Sequence, residues 1–302
     1  MIPVMIGVSF IIFSLMHFTP GDPARMRLGE QATIEQIDAL REEMGLNRPF
    51  IVQYSDWLIN LVIHQDIGVS TRTNLNVADE IIARLPATMQ LALAGVFVSV
   101  IIGIPIGIIS ATKQYSIFDN ASMGFALLGV SMPNFWQGML LVILFAINLG
   151  WLPSSGLPGG AANIRHLILP GITLGTGAAA VIARMTRSSM LEVIGQDYIR
   201  TARAKGQVER VITNRHALKN ALIPIITVIG LNFGFMLGGA IITEAVFALP
   251  GVGSLMIGAI QQRDTPIVLG GVLFIALIFS VVNLAVDILY AFVDPRIKSQ
   301  YR

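Results

Sequence analysis

The chain of 302 residues contains no cysteine. That excludes disulfides, cysteine-ligated zinc and iron–sulfur clusters, and it leaves the compartment open. Charge is scarce as well: 13% of residues are Asp, Glu, Lys or Arg, about half the roughly 25% of a typical soluble domain. Only four histidines occur (His17, His64, His166 and His216), and none pairs at H-x-x-x-H spacing, so a metal site has little support. The G-x-x-x-x-G-K-[ST] loop that cradles nucleotide phosphates is absent. There is no repeat of fixed period and no second soluble domain. What the chain has instead is grease: 54% of it is apolar, gathered in runs of about 20 residues, the length that crosses a hydrocarbon core.

These runs predict an all-α integral membrane fold with six transmembrane helices, at about Ile2–Phe18, Ala87–Ala111, Ala121–Leu149, Leu167–Arg184, Ile223–Phe247 and Pro266–Phe292. The first also has the length of a signal peptide, but it lacks a basic start and a clear small-x-small cleavage site. Residues 1–19 form the first span, 20–86 a helical extracytoplasmic insertion, and 87–302 a five-span core that includes a loop at 185–222. Glycines such as Gly103, Gly107, Gly129, Gly234, Gly238 and Gly239 let helices approach closely, and Pro105 and Pro133 are tolerated inside a bundle.

Net charge is only +2, so its distribution matters more than its sum. Eight Lys/Arg lie between Arg184 and Lys219; with Lys113, Arg296, Lys298 and Arg302 they make twelve on one side. The short connections opposite carry only Arg165 and Arg263. The basic side is the cytoplasmic one, which places both termini inside. Basic residues clustered beside spans, and not mixed with aromatics on a soluble domain, do not suggest nucleic-acid binding. The long connection Thr19–Pro86 holds six Arg and ten Asp/Glu and lies outside. In it Thr33 and Gln36 make a capping box, Ile34, Ile37, Leu40 and Met44 share a helical face, and Gly45 with Pro49 stops that helix. Phe50, Tyr54, Trp57, Leu58 and Leu61 give a second helix whose aromatics suit a membrane interface. Val77, Ile81 and Leu85 give a third, short one that ends before Pro86.

Several polar residues fall in or near the spans: Asn134, Asn148, Asn232, Glu244, Asn283 and Asp287. Buried polar groups in lipid face the bundle interior, water or a partner subunit. Glu244 and Asp287 stand near span ends, where an interfacial position is cheap, and for each polar residue structural hydrogen bonding is the default reading. No carboxylate is evident near the midplane, which argues against a proton-coupled secondary transporter. Ser131 and His166 are not placed as a nucleophile and base. Residues Glu244–Gly253 followed by Gln261–Asp264 form an outer loop that is either a plain connector or a cover over a pathway mouth.

The basic segment Asp197–Pro224 is the richest stretch. Asp197 is suited to cap a helix running to Lys205, Gly206 ends it or lets a turn fold back, and a second helix over about Val208–Ala221 ends near Pro224. Such a hairpin is either a knob for a groove on a partner or a loop held by its charge to lipid headgroups.

The segment resembles the coupling loop of binding-protein-dependent ABC importer permeases, whose pattern is E-A-A-x-x-x-G. Ala202, Gly206 and Leu218 match it. Arg200 stands at the Glu position, Thr201 at the first Ala, His216 at a later Ile and Lys219 at a later Pro. Those departures are the usual form of the peptide branch, which reads close to DYIRTARAKG and then H-x-L-x-N-A-x-x-P, here His216, Leu218, Asn220, Ala221 and Pro224. The resemblance continues through Pro20–Pro23, Ser131–Trp136, Leu152–Gly156, Leu169-Pro170, Glu244–Phe247, Pro250–Gly253 and Asp294–Arg296. It is thus similar to the first-permease type of the dipeptide, oligopeptide, glutathione and nickel importers. Members carry a short basic stretch ahead of the first span, whereas Met1 here lies inside it, so the resemblance leaves the start and the completeness of the first helix open.

The resemblance implies a non-catalytic subunit of a bacterial or archaeal cytoplasmic membrane. It would form half of a pathway for peptides, with a nickel chelate as the alternative cargo. It would work with a second homologous permease, two ATPases that hold the ATP and Mg, an extracytoplasmic solute-binding protein and the surrounding membrane lipid. On the same basis Arg200, Ala202, Arg203, Lys205 and Gly206 make the contact with the ATPase. Asn134, Asn232, Glu244, Pro250, Gly251 and Gly253 are candidates for the pathway or the outer contact.

Overall fold

The structure is a computed structural model that describes residues 2–19, 21–29, 32–64, 66–156 and 164–293. It is built from helices: α1 (Ile2–Phe18), α2 (Pro23–Leu28), α3 (Ile34–Glu43), α4 (Phe50–Ile63), α5 (Val77–Thr112), α6 (Ile117–Ser131), α7 (Asn134–Leu141), α8 (Ile164–Ile194), α9 (Asp197–Ala204), α10 (Glu209–Val211), α11 (Leu218–Val246), α12 (Val252–Gln262) and α13 (Thr265–Val293). Two π-helical stretches, Val142–Asn148 and Ile212–Ala217, extend α7 and join α10 to α11. Among the described residues the one extended pairing is the isolated bridge between Val69 and Asn76. The chain divides into two compact units, Met1–Pro86 with Pro250–Ile278, and Ala87–Leu249 with Phe279–Arg302.

Four helical stretches among the described residues are long and apolar enough to cross a membrane: Val77–Thr112, Ile164–Ile194, Glu209–Val246 and Thr265–Val286. Pro3–Phe18, Phe50–Ile63 and Asn134–Asn148 are apolar but shorter. Three expected boundaries move. Pro86 does not end a short helix; α5 runs through it. Pro224 does not separate loop from span, because the helical rod continues from Glu209 to Val246 with Pro224 inside it. The cost of the missing donor is met within a bundle more readily than in water. Pro133 does break its helix. The expected span Ala121–Leu149 is two pieces, with Met132 and Pro133 extended between them, as expected where a proline disfavours helical geometry in the residue before it. Helix α8 also passes Arg184 and carries it and Arg187 on the same rod. The sequence Asp294–Arg302, with the basic residues Arg296, Lys298 and Arg302, lies outside the described residues, as does Pro20.

In the first unit α3 begins on the capping box expected of Thr33 and Gln36, and Gly45 beyond its end takes φ +68°. Ile37 is buried on its inner face, whereas Ile34 is exposed. The aromatics of α4 pack on α1: Phe10 and Phe13 meet Tyr54 with ring centroids 5.2 and 5.5 Å apart, and buried Ser9 shares a 2.9 Å hydrogen bond with the Tyr54 hydroxyl. Val77, Ile81, Val252, Met256, Ala259, Ile267 and Val268 form this unit's core.

The second unit is organised around α8. In its most apolar stretch 67% of residues are buried, against 28% in the Glu209–Val246 rod, so α8 is the central helix. The reason is a row of small residues. Gly171, Gly175, Ala179 and Ala183 recur every four positions along α8, as do Gly95, Ser99, Gly103 and Gly107 along α5. Residues four apart share a helix face, and small side chains there let two backbones close up, which drives packing where lipid removes the hydrophobic force. The seam is tight. A Cβ on Gly175 would lie 2.5 Å from the Gly95 carbonyl oxygen, one on Gly103 2.7 Å from that of Ala179, and one on Gly107 2.6 Å from that of Ala183. Ser99 turns its hydroxyl onto the Val96 carbonyl, 2.8 Å away, and so brings no unsatisfied donor. By contrast nothing lies within 4 Å of a Cβ on Gly238.

Because backbone cannot yield as a side chain can, Gly107→Val is expected to cost at least the roughly 1–3 kcal/mol of core overpacking, while Gly238→Ala leaves stability near wild type. Thermal loss of the monodisperse detergent-purified protein measures both. Equal behaviour of the two variants would contradict the seam.

Candidate functional site

Helix α9 is held against the second unit by one face and shows the other to solvent. Ile199 is fully buried in a cluster with Ile182 and Met190 of α8, Ala111 of α5, and Ile212, Ala217, Ala221 and Ile225 of the following rod. Ala202, one turn on, packs against the same cluster and is half-buried. Arg200, Thr201, Arg203 and Lys205 are exposed. Asp197 was expected to cap the helix. The capping position belongs to Gln196, which makes no side-chain cap, and Asp197 falls in the first turn, where its charge still suits the helix dipole. It also lies 3.5 Å from the guanidinium of Arg200.

The end of α9 is a two-bond turn. The amide of Gly206 donates to the Arg203 carbonyl at 2.9 Å and that of Gln207 to the Ala202 carbonyl at 3.3 Å. This pairing needs a left-handed residue between the last helical residue and the exit, and Gly206 supplies it at φ +76° with open space around it. Arg203 then reaches Glu209 across the turn with bonds of 2.6 and 3.3 Å, which lowers the Glu209 carboxyl. A second set of polar contacts closes the hairpin. Asn220 donates to the Tyr198 hydroxyl at 2.7 Å and to the His216 carbonyl at 3.0 Å, and His216 Nε2 sits 2.8 Å from Gln207 Oε1. The expected knob is therefore one short helix locked onto the start of a long rod, not a pair of short helices. Tyr198 and Gln207 take part without having been singled out from sequence; their only signal was polarity beside His216 and Asn220.

The same end of this unit holds a buried ion pair. Asp119, in the first turn of α6, is 3% exposed at its side chain and Arg187 of α8 is 25% exposed. Two parallel bonds of 2.8 Å run from the guanidinium to the two carboxylate oxygens. Ser110 of α5 also donates to Asp119, and the Tyr115 amide does so at 3.0 Å. Arg187 follows Gly171, Gly175, Ala179 and Ala183 at the same four-residue spacing, so the pair closes the small-residue seam.

The other candidates do not form one site. Asn134 is half-buried at the start of α7. Asn232 is half-buried and folds its amide onto the Val228 carbonyl at 2.8 Å. Glu244 stands twelve residues further along α11, about 18 Å at 1.5 Å per residue. It stands near the end of α11, is fully buried and accepts from Thr88 of α5 at 2.6 Å, in keeping with the default reading of structural hydrogen bonding. Asn283 Oδ1 is buried without a partner among the described residues, and the Asp287 side chain lies outside them. Pro250 is exposed, whereas Gly251 and Gly253 are buried at the start of α12. Asp264, at the far end of that loop, is buried and accepts from Ser70 at 2.5 Å and the Thr71 amide at 3.2 Å. Among the described residues no group of three acidic or histidine side chains could hold a metal ion.

Long apolar helices around a central helix, with a basic helix fixed at one end, define an integral membrane protein. The family is that of the binding-protein-dependent transport system inner membrane components, to which this chain belongs: residues 103–299 match it, and residues 1–92 match its N-terminal component. The dipeptide transport system permease protein DppB of Alkalihalophilus pseudofirmus is 47% identical, covering 99% of this chain and 96% of the relative. DppB of Escherichia coli K12 is 42% identical over 98% and 96%. In fold the chain resembles the inward-facing MetNI methionine ABC transporter, with TM-score 0.59 and 20% identity over 71% of this chain and 96% of that one.

The two arginine pairs differ in burial, so they should differ in worth. Arg203→Ala is expected to change stability by less than about 1 kcal/mol, and Arg187→Ala to cost about 3–5 kcal/mol by stranding a buried carboxylate. Thermal unfolding of the purified complex checks the ranking, and equal losses would contradict it.

Proposed function

We propose that this chain forms half of the translocation pathway of a peptide importer and that α9 is its coupling helix. Membership in the family and 42–47% identity to dipeptide permeases support the cargo class. The observation that carries the coupling role is the construction of α9. One face is anchored through Ile199, Arg200, Arg203 and Lys205 are exposed beside it, and the exit is fixed at Gly206. A helix with a rigid attachment and a basic outer face suits an acidic groove on a nucleotide-hydrolysing subunit.

In this reading the chain has six spans, with α6 and α7 together making the third, and both termini are cytoplasmic. Two ATPase subunits carry ATP and Mg. A second, homologous permease completes the pathway, and a solute-binding protein delivers peptide on the outer side, where Pro250 is exposed. Closure of the ATPases displaces α9 and biases the bundle between inward-facing and outward-facing packings, a population shift and not a chemical step.

Proline is locked near φ −65° and cannot take the +76° of Gly206. Gly206→Pro is therefore expected to abolish ATP-driven uptake of a labelled dipeptide while the complex still inserts and assembles. Normal uptake by the assembled variant would refute the coupling role.

A further inference from the structure

We infer that Asp119 and Arg187 are positioning residues, a joint through which displacement of α9 reaches α6. The inference rests on the coupling reading and adds the route inside this chain. Helix α9 meets its own unit through Ile199, whose neighbours on α8 are Ile182 and Met190. Arg187 lies between those two on the same helix. Apolar packing of this kind is non-directional. It resists compression, but it does not fix how one helix slides past another.

The ion pair does. Its two parallel 2.8 Å bonds fix the orientation of the guanidinium against the carboxylate. The same carboxylate accepts from Ser110 at the end of α5 and from the Tyr115 amide in the connection to α6. One buried side chain thereby ties α5, α6 and their connection to α8. The connection is itself stiff. Tyr115 sits at φ +62°, held there by its bond to Asp119, and the Lys113 ammonium lies 4.8 Å from the centre of the Phe118 ring. Beyond the joint α6 runs to the break at Met132 and Pro133. A movement of α8 is thus carried to the discontinuous third span, which α9 does not touch through Ile199.

The test uses the assembled transporter in proteoliposomes, with its ATPase subunits and binding protein, and reads peptide taken up per ATP hydrolysed. Arg187→Lys keeps the charge and loses the rigid fork. It is expected to lower that ratio about tenfold, within the usual range of coupling between sites, while hydrolysis continues. Ser110→Ala removes one support and should lower the ratio less, in the same direction. The charge exchange Asp119→Arg with Arg187→Asp should recover part of what Asp119→Arg alone loses. If uptake and hydrolysis fall in proportion, or the ratio stays at the wild-type value in both Arg187→Lys and Ser110→Ala, the joint is only a structural brace and the inference is overturned. Should Arg187→Lys fail to assemble, the Ser110→Ala ratio decides. Gly206→Pro separates the two readings. Normal uptake there removes the coupling role itself, whereas a wild-type ratio in both Arg187→Lys and Ser110→Ala removes only the joint.

Discussion

The backbone of α5 touches the backbone of α8 because neither helix places a large side chain between them. That approach is the constraint on which the second unit depends. Carbonyl oxygens of Gly95, Ala179 and Ala183 stand where the Cβ atoms of Gly175, Gly103 and Gly107 would otherwise be. Without a hydrophobic force between helices in lipid, close packing of this kind supplies the cohesion. The row ends at Arg187, and the Asp119 carboxylate that receives it is gathered from the far ends of α5 and α6. Close small-residue packing along α5 and α8 and a buried charge pair at one end are two parts of one interface.

Magnitudes separate the ion pairs that can bear a mechanical role from those that cannot. Driving a two-state bundle from one extreme population to the other takes about 5.5 kcal/mol. Disrupting a buried pair costs about 3–5 kcal/mol, a sizeable part of that swing. An exposed pair such as Arg203 and Glu209 contributes about 1 kcal/mol or less and serves to shape the turn. Arg200 and Lys205, exposed on α9, are screened by water and salt.

Much of this fold was legible in the sequence. Long apolar runs gave the helices, the Thr33 capping box gave the start of α3, and Gly206 gave the turn after α9, because each is a local rule acting within a few residues. Prolines divided. Pro133 broke a span expected to be continuous, while Pro86 and Pro224, expected at helix boundaries, did not break theirs, since whether a freed carbonyl finds another partner is decided by neighbouring helices and not by the residues beside the proline. The basic segment Asp197–Pro224 stood out by its pattern, although its second half proved to be the beginning of a long rod. The Asp119–Arg187 pair was invisible for a different reason. Its members are 68 positions apart, and no periodicity links them. The burial of Glu244 against Thr88, 156 positions away, escaped notice in the same way.

The absence of cysteine in the chain makes the central claim directly accessible, because one introduced thiol is unique within it. Lys205→Cys places that thiol at the exposed end of α9. Thiol-to-amine crosslinking in inside-out membrane vesicles containing the whole transporter should join it to a nucleotide-hydrolysing subunit, with a yield that changes when ATP is added. Labelling of the same thiol by an impermeant reagent applied to intact cells, with no crosslink to such a subunit, would contradict the account.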